Sequence, residues 1–184
     1  FYYSISRFFG KMQKVLESGL QKSTAEENAA ALTENYSIDR NEAGSFLTKN
    51  KDRELEEPKL DLSHNQIAEI IDTAFYNMAQ LTHLNLSSNR LTVISCNLFA
   101  PLVNLERLLV RDNCIETIDV DSFSTLVKLN ELDLAKNRLS SVSDKLFEKL
   151  TNLSILLLSS NRITGIERCA FANLTNIKEL DVSD

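Results

Sequence analysis

One period governs most of this chain. The segment Leu60-Asp61-Leu62-Ser63-His64-Asn65-Gln66-Ile67 returns as Leu84-Asn85-Leu86-Ser87-Ser88-Asn89-Arg90-Leu91. It returns again from Leu108, Leu132 and Leu156 and opens once more at Leu180, always 24 residues further on. A chain written this way does not fold around one private core. Each unit is too small to bury its own apolar side chains, so neighbouring units must bury them for one another, and the chain grows as a stack.

With position 1 set at Leu81, Leu105, Leu129, Leu153 and Ile177, the unit has a physical reading column by column. Positions 4 and 6 are apolar (Leu84 and Leu86, Leu108 and Val110, Leu132 and Leu134) and mostly alternate with polar neighbours. That period of two marks a half-buried strand. One strand per unit, stacked at about 4.8 Å, makes a parallel sheet. Position 9 is always Asn: Asn65, Asn89, Asn113, Asn137 and Asn161. An amide at the exit of a buried strand can donate to and accept from backbone that would otherwise be unpaired, so these residues are expected to form a ladder. Position 19 is always Phe: Phe75, Phe99, Phe123, Phe147 and Phe171. A column of large rings is expected to fill the wider side of the stack and curve it with the sheet inside.

The spacing L-x-x-L-x-L-x-x-N-x-L resembles the leucine-rich repeat. The 24-residue length with Phe at position 19 is similar to the class found mostly in extracellular proteins: Toll-like receptors, Slit-like and small leucine-rich proteoglycan-like proteins, and invertebrate immune recognition proteins. The resemblance covers residues 57–184. It implies an α/β repeat solenoid, a horseshoe whose concave face is a parallel β-sheet. It also implies non-catalytic recognition of a protein or glycoconjugate by that face, in an extracellular or cell-surface protein, with a cytosolic scaffold or enzyme regulator as the alternative and a matrix protein as a weaker third. Extracellular members usually carry Cys-rich caps, and here no Cys precedes Cys96.

The expected units are 57–80, 81–104, 105–128, 129–152, 153–176 and a partial 177–184, numbered here as repeats 1 to 6. Residues 1–56 lie outside the pattern. Met12, Val15, Leu16 and Leu20 have helical spacing, and Thr24-Ala25-Glu26-Glu27 reads as a capping box, so two short helices and a polar linker are expected there. The chain starts at Phe1 and stops inside a repeat, which reads as a fragment of a longer array. Uncapped ends of a solenoid are expected to favour self-association.

Charge narrows the partners. Lys and Arg number 20 against 26 Asp and Glu, a net charge of −6, which disfavours a nucleic-acid partner. No apolar run approaches the roughly 18 residues that cross a bilayer.

On the resemblance, positions 2, 3, 5, 7 and 8 form the concave ligand face. Leu109, Ile155 and Leu157 break its polar pattern, and Arg107, Arg111, Asp112, Glu131, Asp133 and Lys136 surround them. Apolar side chains ringed by charge are typical of a protein interface, so the ligand is expected at repeats 3–5. Arg90, Arg138 and Arg162 share position 10 and are expected to pair with neighbours such as Asp112.

The remaining chemistry is sparse. His64 and His83 stand about 15 Å apart along the strand direction, too far to share a metal. Cys96, Cys114 and Cys169 are expected to be unpaired thiols, since Cys96 and Cys169 are three repeats apart. No metal, cofactor or catalytic set is expected. Sequons at Asn35, Asn85, Asn152 and Asn173 are candidate glycosylation sites, and Asn85 would carry its glycan on the concave face.

Overall fold

The computed structural model describes residues 59–184. The helices expected before residue 57 and the sequon at Asn35 lie outside the described residues. Six strands form one parallel sheet: β1 (Lys59–Asp61), β2 (His83–Asn85), β4 (Arg107–Leu109), β6 (Glu131–Asp133), β8 (Ile155–Leu157) and β10 (Glu179–Asp181). Each pairs with the next at the same repeat position, as in Leu84 opposite Leu108 and Leu108 opposite Leu132. The fold is a leucine-rich-repeat-like solenoid with the sheet as its inner wall.

The strands are short, at positions 3–5, but backbone pairing runs on. The N–H of Leu86 donates to the Leu109 carbonyl (2.7 Å), and that of Ser88 to the Arg111 carbonyl (2.9 Å). Position 8 then turns the chain. His64, Ser88, Asp112, Lys136 and Ser160 all take φ between 54° and 57°. This left-handed region is uncommon for residues other than Gly. Position 8 therefore lies in a turn rather than in a strand.

The position-9 amides secure that turn. Asn113 Nδ2 donates to the carbonyls of Leu86 (3.0 Å) and Val110 (3.0 Å), and its Oδ1 accepts from the Leu91 N–H (3.0 Å). Asn137 makes the equivalent bonds to Val110, Leu134 and Ile115, each at 3.0 Å. Each amide thus satisfies backbone in two repeats at once. Opposite the sheet, the five Phe rings stack in series, with centroids 6.1–6.3 Å apart. That separation lies within the range of offset aromatic pairs.

The return path of each unit is a string of turns rather than a helix. In repeat 1 the N–H of Met78 donates to the Phe75 carbonyl (3.0 Å) and that of Leu81 to the Met78 carbonyl (2.9 Å). Two minor pairs, β3 (Val93–Ile94) with β5 (Thr117–Ile118) and β7 (Ser141–Val142) with β9 (Gly165–Ile166), join neighbouring units on the far side. Apolar positions 4, 6, 11 and 22 fill the space between, and Leu108, Val110, Ile115, Leu126 and Leu132 have no exposed surface.

Candidate ligand-binding face

Strand alternation decides what the inner wall shows. With position 4 turned inward, positions 3 and 5 turn to the concave side. Position 3 there reads Lys59, His83, Arg107, Glu131, Ile155 and Glu179, and position 5 reads Asp61, Asn85, Leu109, Asp133, Leu157 and Asp181.

Position 5 has a local task. Its side-chain oxygen accepts the N–H two residues on: Asp61 from Ser63 (2.8 Å), Asn85 from Ser87 (3.0 Å), Asp133 from Ala135 (2.9 Å) and Asp181 from Ser183 (3.0 Å). These are Asx turns that lead the chain out of each strand. Leu109 and Leu157 occupy the same position with side chains that cannot accept.

The apolar and charged residues of repeats 3–5 are neighbours, but they differ from the sequence expectation in exposure. Leu109, Ile155 and Leu157 are half-buried rather than fully exposed. Their flanking strands stand close enough to cover part of each side chain. Asp133, expected among the surrounding surface charges, is only 8% exposed. The register explains this, because Asp133 lies directly between Leu109 and Leu157.

That position perturbs its carboxyl. Burial pushes Asp133 above the usual carboxylate range, against the lowering effect of the Ala135 N–H and the Arg111 charge; Glu131 adds to the rise and Arg107 opposes it. Arg111 Nη1 stands 3.9 Å from Asp133 Oδ2, an ion pair longer than a hydrogen bond. At the same position two repeats on, the Ser183 hydroxyl (2.7 Å) and N–H hold Asp181 below the usual range.

The other charges mostly have partners. Arg107 grips Glu131 with two contacts, Nη2 to Oε1 and Nε to Oε2, both 2.8 Å. Asp112 accepts from the Ser88 hydroxyl (3.0 Å). Of the position-10 arginines, Arg138 pairs with position 12 of the preceding repeat rather than with Asp112, Nη1 to Glu116 Oε1 at 3.4 Å. Lys136 is exposed at the position-8 turn.

His83 Nδ1 lies 2.9 Å from Thr82 Oγ1, and His64 sits in the position-8 turn of the preceding repeat. Among the described residues no group of three His, Cys, Asp or Glu is placed to hold a metal. Cys96 and Cys169 are exposed, Cys114 is half-buried, and all three are unpaired. Asn85 is half-buried on the concave sheet, whereas Asn152 and Asn173 are exposed. Asn152 Nδ2 donates to the Val127 carbonyl (2.7 Å) and Asn173 Nδ2 to the Glu148 carbonyl (3.2 Å). No helix among the described residues is long and apolar enough to cross a membrane.

A further row of polar bonds lies on the far side and has no counterpart in the sequence pattern. The Cys96 N–H donates to Asp119 Oδ2 (3.1 Å), the Asp144 N–H to Glu167 Oε2 (2.7 Å) and the Cys169 N–H to Asp144 Oδ1 (2.8 Å). These carboxylates come from positions 15 and 16 and tie adjacent units together.

A curved sheet with an interior repeated unit by unit and an inner face that varies defines a class, the leucine-rich repeat solenoid. Residues 58–115 and 127–184 match the leucine rich repeat family, and the chain belongs to it. Among solved structures it is similar to a chain of the Toll–Spatzle complex, described as a molecular hub in Drosophila development and innate immunity. The TM-score is 0.66 at 26% identity, over 68% of this chain and 16% of that one. The glycosylated form of that complex gives 0.65 at 26% identity, over 68% and 17%. A chain of the TLR13–ssRNA13 complex gives 0.53 at 28% identity, over 68% and 21%. This chain thus spans about a sixth to a fifth of the length of those chains. No curated protein sequence matches it significantly.

Proposed function

We propose that this chain is a non-catalytic recognition module that binds a protein through the concave face at repeats 3–5, as part of an extracellular or receptor-type leucine-rich repeat protein. One observation carries the reading. Interior columns are kept from unit to unit, while positions 3, 5 and 7 change and bring half-buried Leu109, Ile155 and Leu157 together with Arg107, Arg111, Glu131 and Asp133. Packing does not require leucine at position 5, where Asx turns serve the fold in four other repeats. Apolar side chains presented beside charge on an open sheet are suited to a protein partner. A binding role also accords with Toll, which was solved in complex with Spatzle. TLR13 was solved with single-stranded RNA, but the net charge of −6 here disfavours a polyanion. A glycoconjugate is the remaining alternative ligand.

The test uses a random twelve-residue peptide library displayed on phage and selected on the 184-residue chain. Peptides recovered by the wild type should lose binding to the Leu109→Asn, Leu157→Thr double variant, whose melting curve should match the wild type. Peptides that bind both proteins equally would overturn the concave assignment. For the extracellular setting, a eukaryotic secretory host should add glycan at Asn152 or Asn173, read by mass spectrometry. Secreted protein bare at both sites would count against it.

A further inference from the structure

The position-5 turn needs an acceptor oxygen but no charge. Asn85 closes the turn at 3.0 Å with a neutral amide, and Asp133 closes the same turn at 2.9 Å with a carboxylate. Its charge is therefore unexplained by the fold, and it stands where a charge is costly. Asp61 is exposed and Asp181 half-buried, but Asp133 is 8% exposed between two leucines. Arg111 at 3.9 Å does not complete a hydrogen-bonded pair with it. Arg107 is committed to Glu131 by its two 2.8 Å contacts.

Toward repeats 5 and 6 the surroundings share one sign, while the cations Arg107 and Arg111 lie on the repeat-3 side. Positions 3 and 5 of repeats 4–6 hold Glu131, Asp133, Glu179 and Asp181, with Ile155 and Leu157 between them and no cation. The arrangement is apolar on both flanks and anionic in the middle. Lysine and arginine match it, because each carries an apolar stem and a cationic head.

We propose that Leu109, Asp133 and Leu157 form a socket for one Arg or Lys side chain of a protein ligand, with the stem lying over the two leucines and the head donating to Asp133 Oδ2. The inference rests on the concave face being the ligand face, and it names the chemistry that face selects. Position-5 side chains on consecutive strands are about 4.8 Å apart, so a single side chain laid over Asp133 meets a leucine on either side. Arg111, already close to Oδ2, becomes the second cation of a shared carboxylate rather than its sole partner.

The peptide selection provides the test, with Asp133→Asn as the variant and Glu69→Gln as a control of equal charge change on a different part of the array. Asn85 shows that an amide at this position keeps the turn. The expected result is enrichment of peptides with Arg or Lys flanked by apolar residues. One such peptide is then remade with citrulline in place of its Arg, which keeps the stem and removes the charge. Wild type and Glu69→Gln should both lose about tenfold in affinity on that change, and Asp133→Asn should bind the two peptides alike. Peptides that depend on Leu109 and Leu157 but show no basic residue, or an arginine-to-citrulline loss that persists in Asp133→Asn, overturn the socket and leave the concave reading standing. Peptides indifferent to the leucines overturn both. The citrulline comparison on wild type needs no variant to fold, and equal affinity there also overturns the socket.

Discussion

The interior of the array and its concave wall are cut from the same unit, yet they obey different rules. Inside, the same side chain returns every 24 residues because it meets its own copy above and below: Phe99 stacks on Phe123 at 6.3 Å, and Phe123 on Phe147 at 6.3 Å. A change in one unit would break contacts with two others. On the concave wall each side chain also meets its registered neighbours, but that contact tolerates Asn, Leu or Asp at one position. The difference teaches where to look for each property. Stability is held by the columns that repeat, and the proposed selectivity belongs to those that do not.

The largest expected effect tests the interior rule. Phe123→Ala removes a fully buried ring from the middle of the stack and should cost about 3–5 kcal/mol. The same change at Phe171, half-buried and stacked on one described neighbour, should cost roughly half of that. Chemical denaturation of the two variants measures the difference. Equal losses would mean that the stack does not act through neighbours on both sides.

The amide column should follow with a smaller effect. Asn137→Ala leaves the buried Ile115 N–H without its acceptor and removes one of the two amide donors from each of the Val110 and Leu134 carbonyls, which keep Asn113 and Asn161. An expected loss of about 3 kcal/mol follows from unmade buried hydrogen bonds. Asn65 donates to Leu62 and Ser63 of its own repeat and is half-buried. Asn65→Ala should therefore cost about 1 kcal/mol. If both variants melt alike, the amides serve their own turns and do not couple units.

These columns were legible in the sequence because packing punishes change at them. The parallel sheet, the Asn exit and the Phe column follow from spacing alone. The left-handed turn at position 8 was not legible. His64, Ser88, Asp112, Lys136 and Ser160 share no one side-chain type, and the φ near 55° goes with the Asn that follows and the pairing on either side. The burial of Asp133 was hidden for another reason. Along the chain it looks like Asp61 or Asp181, and its neighbours Leu109 and Leu157 are 24 residues away in each direction. Reading down position 5 instead of along the strand brings the three together. The carboxylates at positions 15 and 16 left no such trace, because Asp119, Asp144 and Glu167 reach backbone of neighbouring units from different positions.

The smallest expected effect asks whether the concave wall gives up stability at the very residue proposed to meet the ligand. Burial raises the Asp133 carboxyl above its ordinary value of 3.8, with Arg111 and Arg107 opposing and Glu131 assisting. Between 3.8 and the raised value the folded chain holds a proton that the unfolded chain has released. Stability must then fall as pH rises through that window, and the full benefit is present only below it. Asp133→Asn abolishes this titration while keeping an oxygen to accept the Ala135 N–H. The variant should therefore lose less stability than the wild type between pH 3.5 and neutrality, and should melt slightly higher than the wild type at pH 7. Thermal melts of both proteins across that range read the difference directly, since every other titrating group is common to the two. Parallel curves would mean that Arg111, though 3.9 Å away, already compensates the charge in full. A steeper fall in the wild type would show a carboxylate kept at a cost to the fold, as expected of a residue retained for what it binds.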